Sequence, residues 1–350
     1  MNLRDFKVTP LLDTLYLEKI SDEVYFSTKY SNYISNSRLG LLNPRQEGTP
    51  EKFFAGFQDQ GFSQAFELGS AVHELTLQPE YFELAEELGK PTAKLGAVAD
   101  RLYPIFTSRE VTIDDLIAAS NKVDYYKEKI TNTLFKEVIK QCTPYWENRR
   151  NLEFQLERTK ELIFLDARSK SVVESCVNSL HSNNKVMDLL HPKGFVEDPI
   201  SENEKAILLD VKVEGPDGKS TILKLKSKLD NYTIDKESNT IVLNDIKTIG
   251  KVVSEIDNNI LRFHYNREIG MYMYLLKLVA EKFYGLKDPK YSANYLVVST
   301  IPSYYSKVRP IEYKELVAGF NEFKILLRYV AYLVLYKGYN FNGRVGKYQL

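Results

Sequence analysis

Asp230, Asp245 and Lys247 are the residues of this chain whose types and spacing could do chemistry together. In a β-strand, residues two apart share a face. Leu223, Leu225 and Leu229 then occupy one face of a strand over 221–234, and Lys224, Lys226, Lys228 and Asp230 the other. On the next strand Ile241, Leu243, Asp245 and Lys247 are co-facial, which sets two charges among apolar neighbours, a costly place without a partner or a task. A hairpin symmetric about Glu237 and Ser238 puts Asp230 opposite Asp245, with Cβ atoms roughly 5 Å apart. Carboxylates that close repel unless a cation lies between them, and Mg²⁺ takes one or two such ligands together with water and phosphate oxygens. Lys247 could then orient or deprotonate an attacking water, or neutralise charge developing on a phosphate. The same pattern also fits an ordinary hairpin edge whose charges pair with other side chains.

The surrounding elements must position these groups. Residues 1–60 are rich in Tyr, Asn, Ser and Phe, with a turn at 42–45, a loop at 48–50 and a short serine-capped helix over 33–39. Helical spacing of Phe66, Ala71, Val72, Leu75 and Leu77 runs from Ser63 toward Leu88 and is interrupted at Pro79; Gly69 and His73 share its face. Helical patterns fill 92–141, and helices are expected over 146–167 and 170–190. After Gly194 the period becomes two: strands over 205–213, 221–234 and 241–248 flank a Gly-Pro-Asp-Gly turn at 215–218. A long helix over 255–284, strands over 295–301 and 308–313 and a helix over 315–336 follow. The fold class is α/β (α+β), a small central mixed sheet flanked by helices. A single domain over 1–350 is expected: an N-terminal segment 1–60, a His73 helix within 61–90, a helical insertion 91–193, and the sheet with its helices over 194–350.

Lys plus Arg equals Asp plus Glu at 47 each, so any nucleic-acid surface must be a local patch. One such patch is 301–350, with eight Lys or Arg (307, 309, 314, 324, 328, 337, 344 and 347) against Glu312, Glu315 and Glu322. Cys142 and Cys176 are too few for a disulfide framework, and a charged N-terminus without an eighteen-residue apolar run argues against secretion and membrane insertion. A cytoplasmic protein is expected.

Four segments, in order, resemble the PD-(D/E)XK nuclease superfamily, in particular the phage and RecE-type exonucleases related to the RecB nuclease domain. Gly69 and His73 resemble the Gly-x-x-x-His helix, continued by Pro79, Glu80 and Phe82; Lys228, Leu229 and Asp230 resemble the basic-x-Asp strand end. Asp245, Ile246, Lys247 and Thr248 resemble Asp-x-Lys-Thr, and Glu268 with Tyr272 resembles the Gln-x-x-x-Tyr helix. The resemblance implies a restriction-endonuclease-like core and a Mg²⁺-dependent deoxyribonuclease, with Mn²⁺ as a substitute, resecting double-stranded DNA ends. Asp230, Asp245, the Ile246 carbonyl and His73 would hold the metal, and Lys247 would be the catalytic lysine. Glu268 departs from the family's Gln; it would repel phosphate unless paired with a Lys or Arg. Tyr272 touches a base or sugar, or packs in the core; Lys226 and Lys228 reach the DNA backbone, or only solubilise the strand. A single-strand annealing protein and further copies of this chain are partners consistent with the resemblance. A scaffold that kept the fold and lost catalysis, or a structure-specific endonuclease, is the alternative.

Other motifs fail. Gly218, Lys219 and Ser220 lack the P-loop's first glycine, since position 213 is Val. His73 and Glu74 begin a zinc-protease helix, but position 77 is Leu. Two cysteines cannot bind the four-cysteine iron–sulfur cluster of the CRISPR-adaptation relatives.

Overall fold

The computed structural model describes residues 2–56, 64–126, 129–154, 159–194 and 197–341. The chain forms two compact units: Met1–Leu77 with Ser175–Leu350, and Gln78–Glu174. The second unit is a contiguous insertion that begins and ends earlier than the expected 91–193.

In the first unit, β1 (Lys7–Pro10), β2 (Tyr16–Lys19), α1 (Asp22–Tyr25), β3 (Tyr33–Ile34), α2 (Asn36–Gly40) and α3 (Pro50–Ala55) are all short. Ser35 Oγ accepts from Arg38 N at 3.2 Å and starts α2. The serine cap is therefore as expected, but Tyr33 and Ile34 before it are a strand paired in parallel with residues 224 and 225. Helix α4 (Gln64–Leu77) carries His73 and stops ahead of Pro79, so the pattern does not continue as helix to Leu88.

The second unit holds β4 (Phe82–Glu86), α5 (Ala93–Ser108), α6 (Ile113–Val123), α7 (Asn132–Glu153) and β5 (Glu161–Leu165). Its core closes on Trp146, whose indole N–H donates to Ala99 O at 2.9 Å. Thr112 and Asp115 form a reciprocal cap on α6. The helix expected over 146–167 holds only to Glu153, where α7 ends, and Leu162, Ile163 and Phe164 instead pair in parallel with β4. A run of only five residues has no period long enough to separate strand from helix, so its β-formers decide.

Next come α8 (Ala167–His181) and α9 (Asn184–Leu190). The single helix expected over 170–190 breaks because the Asn183 side chain accepts from Lys185 N and starts a new helix. Then β6 (Ile200–Glu214), β7 (Ser220–Asp235) and β8 (Thr240–Ile249) form the antiparallel centre of an eight-stranded mixed sheet. Gly218, at φ 81°, makes the turn between the first two. The chain crosses over through α10 (Ile256–Phe263) and α11 (Tyr265–Tyr284) to β9 (Lys290–Ser299), which lies parallel to β8. Strand β10 (Ser306–Pro310) and helix α12 (Tyr313–Lys337) close the unit. The order is β1-β6-β7-β8-β9-β10, with β2 beside β6 and β3 beside β7.

The helix expected over 255–284 is divided by His264, left-handed at φ 55° and tied by Nδ1 to Glu322 at 2.9 Å. Helices α11 and α12 meet backbone to backbone. A Cβ on Gly270 would lie 2.3 Å from Phe320 N, and one on Gly319 would lie 1.8 Å from Asn266 O. Both helices pack in the main core with Leu223, Leu225, Leu243 and Ile241. Among the described residues no helix is long and apolar enough to cross a membrane.

Candidate functional site

Strands β7 and β8 pair from Asp235 and Thr240 as far as Asn231 and Asn244, and there their ladder ends. This is the expected register, but it stops one pair short of Asp230 and Asp245, which are not paired across the strands. Beyond it β8 is paired with β9, and β7 with β6 and β3, so the sheet forks. A fork leaves strand donors without their ladder partners. Asp230 supplies one: its Oδ2 accepts from Ile246 N at 2.7 Å. The sheet opening therefore fixes the Asp230 carboxylate, and the group of Ile246 that it engages is the N–H.

A second distortion faces the first. The β6–β7 ladder skips Glu204 and Asp230, and Glu204 is left-handed at φ 54° in the middle of a strand. Such a conformation in a non-glycine residue costs on the order of 1–3 kcal/mol and clusters at functional sites. The pleat also changes phase here: Leu225 and Leu229 enter the main core on one side of Asp230, Tyr232 and Ile234 on the other. Strict alternation thus holds only on either side of Asp230. The kink brings Glu204 to Asp230 and His73, and one ligand atom from each of the three lies within 4.8 Å of the others. His73 Nδ1 is 3.3 Å from Asp230 Oδ2.

Gly69 explains why α4 can place His73. A Cβ there would be 3.2 Å from Thr248 Oγ1, tighter than ordinary contact, so glycine lets the helix approach β8 without shifting that side chain. The end of α4 is tied by Asn203, whose Nδ2 donates to Leu77 O at 2.8 Å. Asn203 belongs to a chain of amides across four strands: Asn231 donates to Asn203 at 2.8 Å, Asn244 to Asn231 at 2.8 Å, and Asn294 to Asn244 at 3.0 Å. A satisfied buried network of this kind rigidifies the strands next to both acids.

Lys247 lies on the other side of the fork. Its ammonium is 2.7 Å from Asp245 Oδ2, donates to Glu268 Oε2 at 3.0 Å, and lies 4.7 Å from the Tyr265 ring centroid. Tyr272 OH donates to the second Glu268 oxygen at 3.1 Å while its ring packs on the core. Glu268 in place of the resembled family's Gln is therefore matched by a lysine. The two groups of residues line one cavity of about 860 Å³, with His73, Glu204 and Asp230 beside Asp245, Lys247 and Glu268.

The charges perturb one another. Burial lowers the tendency of His73 to protonate, but the Asp230 carboxylate and Glu204 outweigh it and lift the imidazole to about 9. Burial, aided by Asp230 and Glu268 against Lys247, pushes Asp245 up to about 8. Burial opposes the Lys247 ammonium, yet Asp245, Glu268 and Asp230 hold it well above the ordinary lysine value. Burial and Asp230 raise Glu204 against the pull of Lys228. A proton on His73 and the ammonium groups now balance the carboxylates. A divalent cation could do so as well: two carboxylates and an imidazole converging within 4.8 Å fit a small ion with oxygen and nitrogen ligands.

Other sequence expectations fall elsewhere. Lys226 is buried, donates to Tyr25 O at 2.7 Å and lies 4.3 Å from the Tyr25 ring centroid. Burial and then Arg38 depress it to about 8. It braces α1, and the expected DNA contact is corrected, since the buried ammonium faces protein. Lys228 lines the cavity but is engaged by Glu204 at 2.7 Å and Asp22 at 2.5 Å. Of the basic C-terminal patch, Arg309 is held by Asp257 and Glu315, while 344 and 347 lie outside the described residues. Sequence reading missed Glu204, which lies just before the strand expected over 205–213 and inside the longer β6.

No family model matches the chain, and no curated protein matches it. Among solved structures it is similar to the crystal structure of a protein assigned as an exonuclease from Eubacterium rectale, with 11% identity over 89% of this chain and 86% of that chain and a TM-score of 0.44. A likeness of that degree decides neither fold nor activity.

Proposed function

We propose that the chain is a metal-dependent deoxyribonuclease that hydrolyses phosphodiester bonds, acting as an exonuclease on the ends of double-stranded DNA. The observation that carries this reading is the fork itself: His73, Glu204 and Asp230 converge on one side, and Asp245, Lys247 and Glu268 meet on the other, in one cleft. His73, Glu204 and Asp230 would hold the cation, with Asp245 beside them. When bound, it supplies Lewis acidity toward a phosphate oxygen and a more acidic water. Mg²⁺ and Mn²⁺ both suit the carboxylates.

The chain's own groups have separable tasks. Lys247 is an ammonium between Asp245 and Glu268, placed to stabilise negative charge developing on phosphate. Glu268, fixed by Tyr272, aims that ammonium. Asp230, fixed by the Ile246 N–H, and the kinked Glu204 present oxygens that need little reorganisation. The preference for ends over internal bonds rests on the resemblance of the four motifs.

Linear duplex DNA incubated with Mg²⁺ or Mn²⁺ tests the reading. The wild-type protein is expected to release nucleotides, chelator to stop it, and Asp245→Ala and Lys247→Ala to lose most of the rate. Equal activity in all three proteins would sink the assignment. Cutting of closed circular DNA would overturn the exonuclease part and leave the nuclease part standing.

A further inference from the structure

Two phenylalanines on the cleft lining have no part in the metal chemistry. Phe26, just after α1, is 68% exposed, and Phe263, the last residue of α10, is 43% exposed; both line the cavity that holds the acids. Single exposed apolar residues are common and need no explanation. Here two aromatic rings open onto one polar cleft.

Each outer ring is backed by an inner tyrosine. Tyr25 meets Phe26 edge-on with centroids 5.0 Å apart, and Tyr265 stacks against Phe263 at 5.6 Å with an interplanar angle of 28°. Tyr265 in turn sits under the Lys247 ammonium, so aromatic surface leads from the cleft rim to the proposed reaction centre. Both rings stand on braced backbone. The Lys226 ammonium, buried, holds the Tyr25 carbonyl next to Phe26, and the left-handed His264, tied to Glu322, ends the helix at Phe263. These braces otherwise have no task in the chemistry described above.

Charge narrows the ligand. Among the described residues six carboxylate side chains line the cavity against three lysines and His73. Such a lining does not hold a run of phosphates by charge, so affinity for nucleic acid must come from elsewhere. Aromatic side chains bind bases through their π-faces without regard to sequence. In a duplex those faces are covered by neighbouring base pairs, whereas an unpaired strand offers them.

We infer that the cleft takes a single unpaired strand, whose bases stack on Phe26 and Phe263 while its backbone passes Lys247. This deepens the nuclease reading and rests on it: the strand being cut is held unpaired, so frayed or overhanging ends are better substrates than blunt ones.

The test is binding of a labelled oligothymidylate and of a blunt hairpin duplex with the same number of nucleotides, by fluorescence anisotropy in Ca²⁺. The proteins compared are wild type, Phe26→Leu, Phe263→Leu and the corresponding Trp variants. Both positions are exposed, and Leu keeps the apolar contact while removing the ring. The wild type is expected to prefer the single strand. Each Leu variant should weaken that binding about 5- to 150-fold, the span expected for loss of one stacked base, while Trp restores it and duplex binding barely moves. Equal affinity for the two ligands, or Leu variants that bind like wild type, would overturn the strand site. Nucleotide release with Mg²⁺ is measured on the same proteins. Release by the wild type with unaffected Leu variants would remove the strand site and leave the nuclease reading; ring-dependent binding with no hydrolysis would uphold the strand site and remove the nuclease reading.

Discussion

At the scale of single residues, the charges at the fork are tolerated because they face one another, and the balance is set by protons in the metal-free protein. His73 raised to about 9 contributes stability that is full below the ordinary histidine value and is lost as pH rises through 9. Asp245 raised to about 8 acts in the same direction, because the native state keeps a proton that the unfolded chain has released. The melting temperature in chelator should therefore fall between pH 6 and pH 9. Asp245→Asn, which removes the buried charge and keeps the shape, should melt higher than wild type at pH 9 by a few degrees and be inactive, a trade of stability against function. Calorimetry of both proteins at the two pH values checks this, and a wild type that melts at least as high as the variant at pH 9 would refute it. Residue types and spacing singled out Asp230, Asp245 and Lys247, with an ordinary hairpin edge as the alternative, and His73 entered only through the resemblance of its helix. Glu204 could not, because its inclusion depends on a left-handed φ that no sequence pattern encodes.

At the scale of elements, the site depends on how closely α4 lies on β8. Gly69→Ala places a methyl 3.2 Å from Thr248 Oγ1, so the helix must yield by a few tenths of an ångström and carry His73 with it. Stability should change by less than about 1.5 kcal/mol, within the range of mild overpacking and offset by alanine's helix propensity, while activity falls several-fold. Thr248→Ala in the same protein removes the obstructing oxygen and should restore most of the rate. If the double variant were no faster than Gly69→Ala, the spacing argument for this glycine would fail. The strands and the β7–β8 register as far as Asn231 and Asn244 were legible because alternation and the turn residues agree there, whereas the fork and the change of pleat phase at Asp230 were not. The breaks at Asn183 and His264 were not, since a helical pattern continues across both and only the caps reveal them. Strand β5 was hidden for the opposite reason: five residues are too few to show a period.

For the molecule as a whole, a zero formal net charge provides no long-range field to gather a polyanion. Recognition must then be local, and the cleft lining carries more acids than bases. On this account a cation is needed both for the reaction and for phosphate to enter, so cation binding and hydrolysis should rise together. The most direct measurement is a Mn²⁺ titration of the full chain in which metal binding and nucleotide release from linear duplex DNA are followed on the same samples, beside Glu204→Gln. The wild type is predicted to half-saturate in both at one Mn²⁺ concentration. The variant should lose at least the roughly 10- to 100-fold in affinity that loss of even an outer partner costs a metal site, and its nucleotide release should fall with it. Nucleotide release that persists in chelator, or a Glu204→Gln protein that binds Mn²⁺ and releases nucleotides like the wild type, would contradict the account.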